Sequence, residues 1–210
     1  MKYTHLFWDF DGTLYNSYPQ LVNALKQTLN SFGVIFGDEQ QLLCKLKVSV
    51  YCALQDYAQA YGLPVEVMHQ RFHEFHLQTG DFPAYEGLGE CLAKLKSQGC
   101  QHFLYTHRDS RAWRQLEKDG LKEFFIDGIT SEDAFPQKPA PDALLSLMAR
   151  HSLTPESCAM IGDRDIDVLS GQNAGMAGIL FDPDGFYPNL EAEIKADTMQ
   201  ELCQKLERCR

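Results

Sequence analysis

The stretch HLFWDFDGTL, residues 5–14, decides how the rest of the chain is interpreted. The aromatic and apolar run over residues 3–8 predicts a buried β-strand, which ends at a glycine turn. Asp9 and Asp11 stand between that run and Gly12. A strand built for a protein core has no structural need of two carboxylates at its tip. The stretch therefore indicates a strand that delivers acidic side chains to a place where they are used.

Strand and helix patterns alternate along the chain after residue 83. Further strands are predicted over residues 102–106, 124–129, 158–161 and 178–181. Helical patterns lie between and after them, over residues 88–99, 109–119, 141–149, 163–174 and 199–207. This alternation predicts an α/β fold, a Rossmann-like parallel sheet with right-handed crossovers and helices on both faces.

The segment after the first strand has a different pattern. Apolar residues recur at helical spacing through residues 15–82, and no strand pattern interrupts them. Ser17 and Gln20 predict a capping box at the start of the first of these helices. We therefore expect two domains: a Rossmann-like core of residues 1–14 and 83–210, and an all-helical insertion of residues 15–82.

Composition and charge exclude several classes of protein. The chain of 210 residues has a formal net charge of -10, and its 19 Lys and Arg residues are scattered. Nucleic-acid binding needs a clustered basic face, so we expect no nucleic-acid partner. No stretch approaches the ~20 apolar residues of a membrane span, so we expect no membrane association. The seven cysteines form no C-x-x-C pair, which favours reduced thiols and a cytoplasmic protein.

Polar residues follow four of the predicted strands or the loops after them. They are Asp9 to Thr13, Thr106 to Arg108, Lys138 with Pro139, and Gly162 to Asp167. Parallel α/β sheets bind their ligands outside the carboxyl ends of the strands. If the sheet is parallel, all four sets converge at one edge.

The residue types at this edge suit phosphate chemistry. The gathered carboxylates of Asp9, Asp11, Asp163 and Asp167 repel one another, and a hard cation such as Mg²⁺ makes the group tolerable. A cation together with Lys138 and backbone amides attracts a phosphate group. One carboxylate can then act as the nucleophile, and a second can move the proton.

These residues resemble the four motifs of the haloacid dehalogenase (HAD) superfamily, in the right order. The matching residues are Asp9-x-Asp11-Gly12-Thr13, Thr106, Lys138-Pro139 and Gly162-Asp163-x-x-x-Asp167. The resemblance covers the whole chain, and the helical insertion looks like the cap of the phosphoglycolate phosphatase-like branch. It implies that the insertion closes over the substrate, excludes bulk water and sets specificity.

The resemblance also implies a role for each residue of the first three motifs. Asp9 would be the nucleophile that becomes phosphorylated, and it would also bind the metal. Asp11 would be the general acid and base, and its backbone carbonyl would reach the metal. Thr106 would hold a phosphate oxygen through its hydroxyl group. Lys138 would neutralise charge between Asp9 and the phosphate.

The fourth motif would complete the metal site. Asp163 would ligate Mg²⁺, and Asp167 would support that site without being a ligand. Two positions depart from the family: many relatives have Asp where this chain has Asn16, and Asn where this chain has His107. The backbone amide of His107 could still bind phosphate, and its ring either contacts the substrate or packs.

We therefore expect a Mg²⁺-dependent phosphatase that hydrolyses a small phosphorylated metabolite, of the phosphoglycolate type, through an aspartyl-phosphate intermediate. Two alternatives stay open at this point. A phosphomutase of the same fold needs Asp9 and Asp11 as well, and a non-catalytic binding module could keep the fold. The sequence does not fix the oligomeric state, and a monomer is compatible with it.

Overall fold

A six-stranded parallel sheet organises the computed structural model, which describes residues 1–209 of the chain. The strand order is β3-β2-β1-β4-β5-β6, and every neighbouring pair is parallel. The strands are β1 (His5–Trp8), β2 (Gln101–Tyr105), β3 (Phe125–Ile129), β4 (Cys158–Gly162), β5 (Ala177–Phe181) and β6 (Ile194–Ala196). The predicted α/β fold with a Rossmann-like parallel sheet is confirmed. The sequence analysis missed β6, because a strand of three residues has too few positions to show a period.

Helices connect the strands and also form the insertion. The insertion contains α1 (Tyr18–Ser31), α2 (Glu39–Val48), α3 (Val50–Tyr61) and α4 (Val65–Leu77). The remaining long helices are α5 (Leu88–Ser97), α6 (Arg111–Lys118), α7 (Asp142–Arg150), α8 (Asp165–Asn173) and α9 (Met199–Arg208). The chain divides into two compact units, residues 1–15 with 84–210 and residues 16–83.

The sheet is covered on both faces because its side chains alternate between them. Phe7 of β1 lies opposite Phe103 of β2 and Met160 of β4, and its ring stacks on Phe103 with centroids 4.8 Å apart. This face packs against Leu144 and Leu147 of α7. Neighbouring strand residues point the other way, toward α5 and α9.

A buried histidine marks that second face. The indole Nε1 of Trp8 donates a hydrogen bond of 3.0 Å to Nδ1 of His102. Nε2 of His102 therefore carries the ring proton, and it lies 3.2 Å from the carbonyl oxygen of Leu92 on α5. The ring is fully buried, and burial lowers the pKa of His102 to about 4. His102 thus joins β1, β2 and α5 as a neutral hydrogen-bonding residue.

Helix α8 approaches β5 too closely for any side chain on the strand at residue 178. A Cβ added to Gly178 would lie 2.5 Å from the carbonyl oxygen of Val168 and 2.7 Å from its Cγ1. Real Cβ atoms do not occur at such distances, so glycine is required there. This close approach fixes α8 over β4 and β5, and α8 carries one of the acidic residues described below.

The insertion has a hydrophobic core of its own. Its buried residues come from all four of its helices and include Leu25, Leu42, Leu54 and Met68. Most of the stability of such amphipathic helices comes from burying one face against neighbours.

The capping box predicted at the start of α1 is wrong. Ser17 is the N-cap residue, but its hydroxyl group makes no capping hydrogen bond. Its backbone has helical angles, φ -89° and ψ -12°, whereas a capping serine normally adopts extended angles. The hydroxyl oxygen accordingly finds no hydrogen-bond partner among the described residues.

The insertion begins and ends at neighbouring backbone positions. The amide of Asn16 donates to the carbonyl of Pro83 over 2.9 Å. On the core side of the junction, Tyr15 forms an antiparallel bridge with Ala84, and the amide of Tyr85 donates to the carbonyl of Leu14. The two crossing points are therefore held together by main-chain hydrogen bonds. Within the part of the chain that is described, none of the helices is long and apolar enough to cross a bilayer.

Candidate active site

Three buried carboxylates meet at the carboxyl end of the sheet. Asp9 directly follows β1, and its amide donates to the carbonyl of Ile161 over 2.9 Å, so the ladder between β1 and β4 continues to this residue. Asp163 directly follows β4, and Asp167 lies in the first turn of α8. Side-chain oxygens of Asp9, Asp163 and Asp167 all lie within 4.8 Å of one another.

Gly162 allows Asp167 to enter this cluster. A Cβ at residue 162 would lie 2.1 Å from the Cβ of Asp167 and 2.2 Å from its Cγ. Asp167 Oδ2 also accepts a hydrogen bond of 3.1 Å from the amide of Arg164 at the start of α8. The glycine therefore leaves the space that the carboxylate occupies, and the helix terminus orients it.

Lys138 joins two of the carboxylates. Its Nζ donates to Asp9 Oδ1 over 2.6 Å and to the carbonyl of Tyr105 over 2.9 Å. It also lies 2.8 Å from Asp167 Oδ1, and its side chain is fully buried. The ammonium group thus holds Asp9 and Asp167 at fixed positions on either side of it.

Burial and neighbouring charges shift the pKa of Asp9 and the pKa of Asp167 in opposite directions. Burial, together with the charges of Asp167 and Asp163, raises the pKa of Asp9 to about 7, although Lys138 and Arg164 oppose the rise. Burial also disfavours ionisation of Asp167, but Lys138 and Arg164 hold its pKa below the usual range. Lys138 therefore offsets only part of the cost of burying an ionised Asp9.

The cluster fits a divalent cation. Three buried carboxylates place their oxygens within 4.8 Å of one another, and hard oxygen donors are the ligands that Mg²⁺ prefers. An added cation would also keep Asp9 ionised, since an opposite charge nearby favours the charged form.

His107 is placed to support the loop that carries Lys138. Its Nε2 accepts a hydrogen bond of 3.0 Å from the backbone amide of Lys138. Burial, with help from the charges of Lys138 and Arg164, lowers the pKa of His107 to about 4, so the ring is neutral and can accept. The ring also packs edge-on against Tyr105, with centroids 6.4 Å apart. A contact of this ring with substrate stays a prediction.

Thr106 follows β2 as Asp9 follows β1. Its amide donates to the carbonyl of Ile129 over 3.0 Å, and its hydroxyl oxygen accepts from the amide of Arg108 over 3.0 Å. The hydroxyl proton is therefore directed away from Arg108 and can be donated to another group. The threonine lies at the same edge of the sheet as Asp9, on the neighbouring strand.

Asp11 lies apart from the carboxylate cluster and pairs with Arg108. The guanidinium Nε of Arg108 donates to Asp11 Oδ2 over 3.0 Å, and a terminal nitrogen donates to Oδ1. The side chain of Arg108 is only 7% exposed and lies over the ring of Phe10. Gly12 follows with a φ of 77°, a left-handed conformation that turns the chain after Asp11.

Sequence reasoning did not find this pair. The position of Arg108, two residues after Thr106 at the same edge of the sheet, was the signal that could have shown it. A two-pronged guanidinium contact holds a carboxylate in one orientation and favours its ionised form.

The profile of the haloacid dehalogenase-like hydrolases matches residues 6–181. The chain therefore belongs to this family, and the resemblance predicted from the four motifs is confirmed. It is a hydrolase, as the sequence analysis expected.

Curated relatives of the chain are phosphatases by name. A phosphoglycolate phosphatase of Vibrio parahaemolyticus is 29% identical over 188 residues, which cover 81% of this chain and 79% of the relative. The pyrophosphatase PpaX of Bacillus cereus is 27% identical over 178 residues, which cover 83% of this chain and 81% of the relative. By their names, the two relatives act on different substrates, but both cleave a phosphate bond.

Solved structures share the fold. A protein from Haemophilus somnus, described as a predicted phosphoglycolate phosphatase, has a TM-score of 0.82 at 17% identity and covers 98% of this chain and 99% of its own. The HAD-hydrolase YfnB from Bacillus subtilis, solved with bound magnesium, has a TM-score of 0.77 at 20% identity and covers 98% of this chain and 99% of its own. At these identities the likeness extends to the fold alone.

Proposed function

We propose that this hydrolase is a magnesium-dependent phosphatase that cleaves a small phosphate monoester through an aspartyl-phosphate intermediate. The observation that carries the proposal is the buried contact of Lys138 with Asp9 and Asp167, inside a cluster of three carboxylates. The relatives named phosphatase support the same class of reaction. Phosphoglycolate is the first candidate substrate, and pyrophosphate the second.

The metal would be held by Asp9, Asp163 and the backbone carbonyl of Asp11, with Asp167 as a supporting residue. When bound, Mg²⁺ supplies positive charge between the carboxylate of Asp9 and the phosphate oxygens. Asp167 already uses both oxygens, one toward Lys138 and one toward the amide of Arg164, which suits a supporting role.

In the first half of the reaction, a carboxylate oxygen of Asp9 attacks phosphorus and the bond from phosphorus to the leaving oxygen breaks. Asp11, released from its pair with Arg108 and protonated, would donate a proton to that oxygen, so that the alcohol leaves neutral. Lys138 and the hydroxyl of Thr106 stabilise the charge on the transferring phosphoryl group, because they are fixed donors in a water-poor site.

In the second half, Asp11 takes a proton from a water molecule, which attacks the phosphoryl group on Asp9. The bond between Asp9 and phosphorus breaks, inorganic phosphate leaves, and the carboxylate of Asp9 is restored. The helical insertion would serve as the cap that limits access of other water and selects the substrate.

The test is release of inorganic phosphate from p-nitrophenyl phosphate, 2-phosphoglycolate, pyrophosphate and a panel of sugar phosphates. We expect release with Mg²⁺, none with a chelator, and none from Asp9→Asn under either condition. Asp197→Asn is the matched control, because Asp197 is exposed and lies outside the site. Full activity of Asp9→Asn would overturn the assignment of the nucleophile. Phosphoryl return to a sugar hydroxyl instead of release to water would identify a mutase.

A further inference from the structure

Arg108 is a buried cation at the carboxyl end of the sheet, and the proposed reaction gives it no role toward the substrate. Its guanidinium group makes a two-pronged contact with the carboxylate of Asp11, with 3.0 Å between Nε and Oδ2. It also lies over the ring of Phe10, with 5.4 Å from Cζ to the ring centroid. The side chain of Arg108 is 7% exposed, whereas that of Asp11 is 28% exposed. The arginine therefore depends more than its partner on keeping an opposite charge beside it, because an unpaired buried charge is strongly destabilising.

The backbone of Arg108 is fixed independently of this contact. Its amide donates to the hydroxyl oxygen of Thr106 over 3.0 Å, and its carbonyl accepts from the amide of Ser131 over 3.0 Å. The residue is thus anchored between the end of β2 and the loop after β3. The guanidinium group can therefore change its partner by rotation of the side chain alone, because the main-chain bonds do not involve it.

The contact with Asp11 places the guanidinium group beside the leaving part of the substrate. In the proposed function, Asp11 acts on the oxygen that leaves phosphorus. A group in hydrogen-bond contact with the same carboxylate lies roughly 5–6 Å from that oxygen, which is two hydrogen-bond lengths. In 2-phosphoglycolate a single carbon separates the carboxylate from the leaving oxygen, and in pyrophosphate the leaving oxygen belongs to the second phosphate. An anion at either position is within reach of Arg108.

The charge and shape of the guanidinium group suit such an anion. Its planar fork of N–H donors matches a carboxylate or a phosphate with two parallel hydrogen bonds. Lys138 already contacts two carboxylates of the cluster. Arg111, at the start of α6, contacts Asp109. Arg108 is therefore the cation placed to bind an anion next to Asp11.

We propose that Arg108 is a specificity-determining residue, which exchanges the carboxylate of Asp11 for an anionic group on the leaving part of the substrate. The hydrolase then prefers phosphate compounds whose leaving group carries a carboxylate or a second phosphate. The exchange keeps the buried guanidinium group paired, and it releases Asp11 from Arg108 at the moment when Asp11 acts on the leaving oxygen. A neutral leaving group offers no such replacement. The inference rests on the proposed function, because it takes Asp11 to act at the leaving oxygen.

The test compares kcat/KM for phosphate release, with Mg²⁺, between substrates that differ in the charge of the leaving group. The first pair is 2-phosphoglycolate and the phosphate ester of glycolamide, which has nearly the same shape without the carboxylate charge. The second pair is pyrophosphate and p-nitrophenyl phosphate, whose good leaving group carries no second anion. We expect the wild type to favour the anionic member of at least one pair by about 10–100-fold, as a charge-assisted contact predicts. The pair that responds tells whether the anion is a carboxylate or a phosphate.

Substitutions assign the preference to the guanidinium group. Arg108→Met removes the charge and keeps an unbranched side chain over Phe10. We expect it to lower the preference within the responding pair about 10–100-fold, chiefly through KM. The ratio between the two substrates cancels any effect on Asp11 that both share. Arg111→Met is the matched control and leaves the ratio unchanged.

The outcomes separate this inference from the proposed function. Arg108→Lys keeps the charge without the planar fork and should lose part of the preference, so it decides the question if Arg108→Met fails to fold. The inference alone is overturned if the wild type releases phosphate without preferring either anionic substrate, or if Arg108→Met keeps the wild-type preference. Absence of Mg²⁺-dependent release from every substrate overturns the proposed function, and this inference with it.

Discussion

The buried ring of His102 makes the stability of the core depend on pH in a direction that can be worked out. The pKa of His102 is about 4 in the folded protein, against about 6.5 for a solvated histidine. Between these values the unfolded chain binds a proton that the folded chain does not, so acid stabilises the unfolded state. The contribution of neutral His102 is complete above about pH 6.5 and is lost as the pH falls toward 4.

The size of the effect follows from the same two values. A difference of about 2.5 pKa units corresponds to roughly 3 kcal/mol in full, and about 2 kcal/mol of that is lost between pH 7.5 and pH 5. For a chain of this length, 2 kcal/mol lowers the melting temperature by about 5 °C. The value is large because the ring is fully buried between Trp8 and Leu92.

The assay is urea unfolding followed by circular dichroism at pH 7.5 and pH 5.0. His102→Gln removes the titrating group and keeps a polar side chain. Between pH 7.5 and pH 5.0 we expect the free energy of unfolding of the wild type to fall by about 2 kcal/mol more than that of this variant. His73→Gln, on the exposed face of α4, is the control, and its free energy of unfolding should fall by as much as that of the wild type. Equal losses in wild type and His102→Gln would refute the reasoning.

Three further predictions concern the candidate active site. Gly162→Ala forces Asp167 out of the cluster and should lower kcat about 100-fold while the fold is retained. Phosphate release measures kcat and circular dichroism checks the fold. A loss of kcat under threefold would contradict this prediction. Lys138→Met removes the ammonium group that pairs with the carboxylates of Asp9 and Asp167. It should lower the free energy of unfolding of the metal-free protein, measured in urea, by about 3–5 kcal/mol. An unchanged midpoint of unfolding would count against the buried ion pairs. His107→Leu removes the acceptor for the amide of Lys138 and should lower kcat about tenfold at constant KM, whereas a rise in KM alone would place the ring against substrate.

The architecture could be predicted because its signals are local and repeated. Each of the five strands that were predicted is a short apolar run followed by a polar turn, and the alternation with helices leaves few topologies. The parallel order then brings the strand ends together, which is why Asp9, Thr106 and Asp163 could be assigned to one edge before any coordinates were known.

The parts that could not be predicted depend on side-chain geometry. The pairing of Arg108 with Asp11 depends on how two loops fold beside each other, and the relative placement of two loops does not follow from a residue pattern. His102 lies in an apolar strand, and its bonds to Trp8 and Leu92 join residues distant in sequence. The failed cap at Ser17 has a local cause, since its backbone is helical where a capping residue is extended.

The junction at residues 15 and 84 has a consequence for how such a protein can change over time. The bridge between Tyr15 and Ala84 closes the core at the two points where the insertion leaves it and returns to it, so a different insert can start and end at the same two residues. The register of β1, which places Asp9, is set by β2 and β4 and owes nothing to the insert. With the insertion selecting the substrate as proposed, substrate selection and bond cleavage can diversify at separate rates, and a graft of a foreign insert at this junction is the corresponding engineering route.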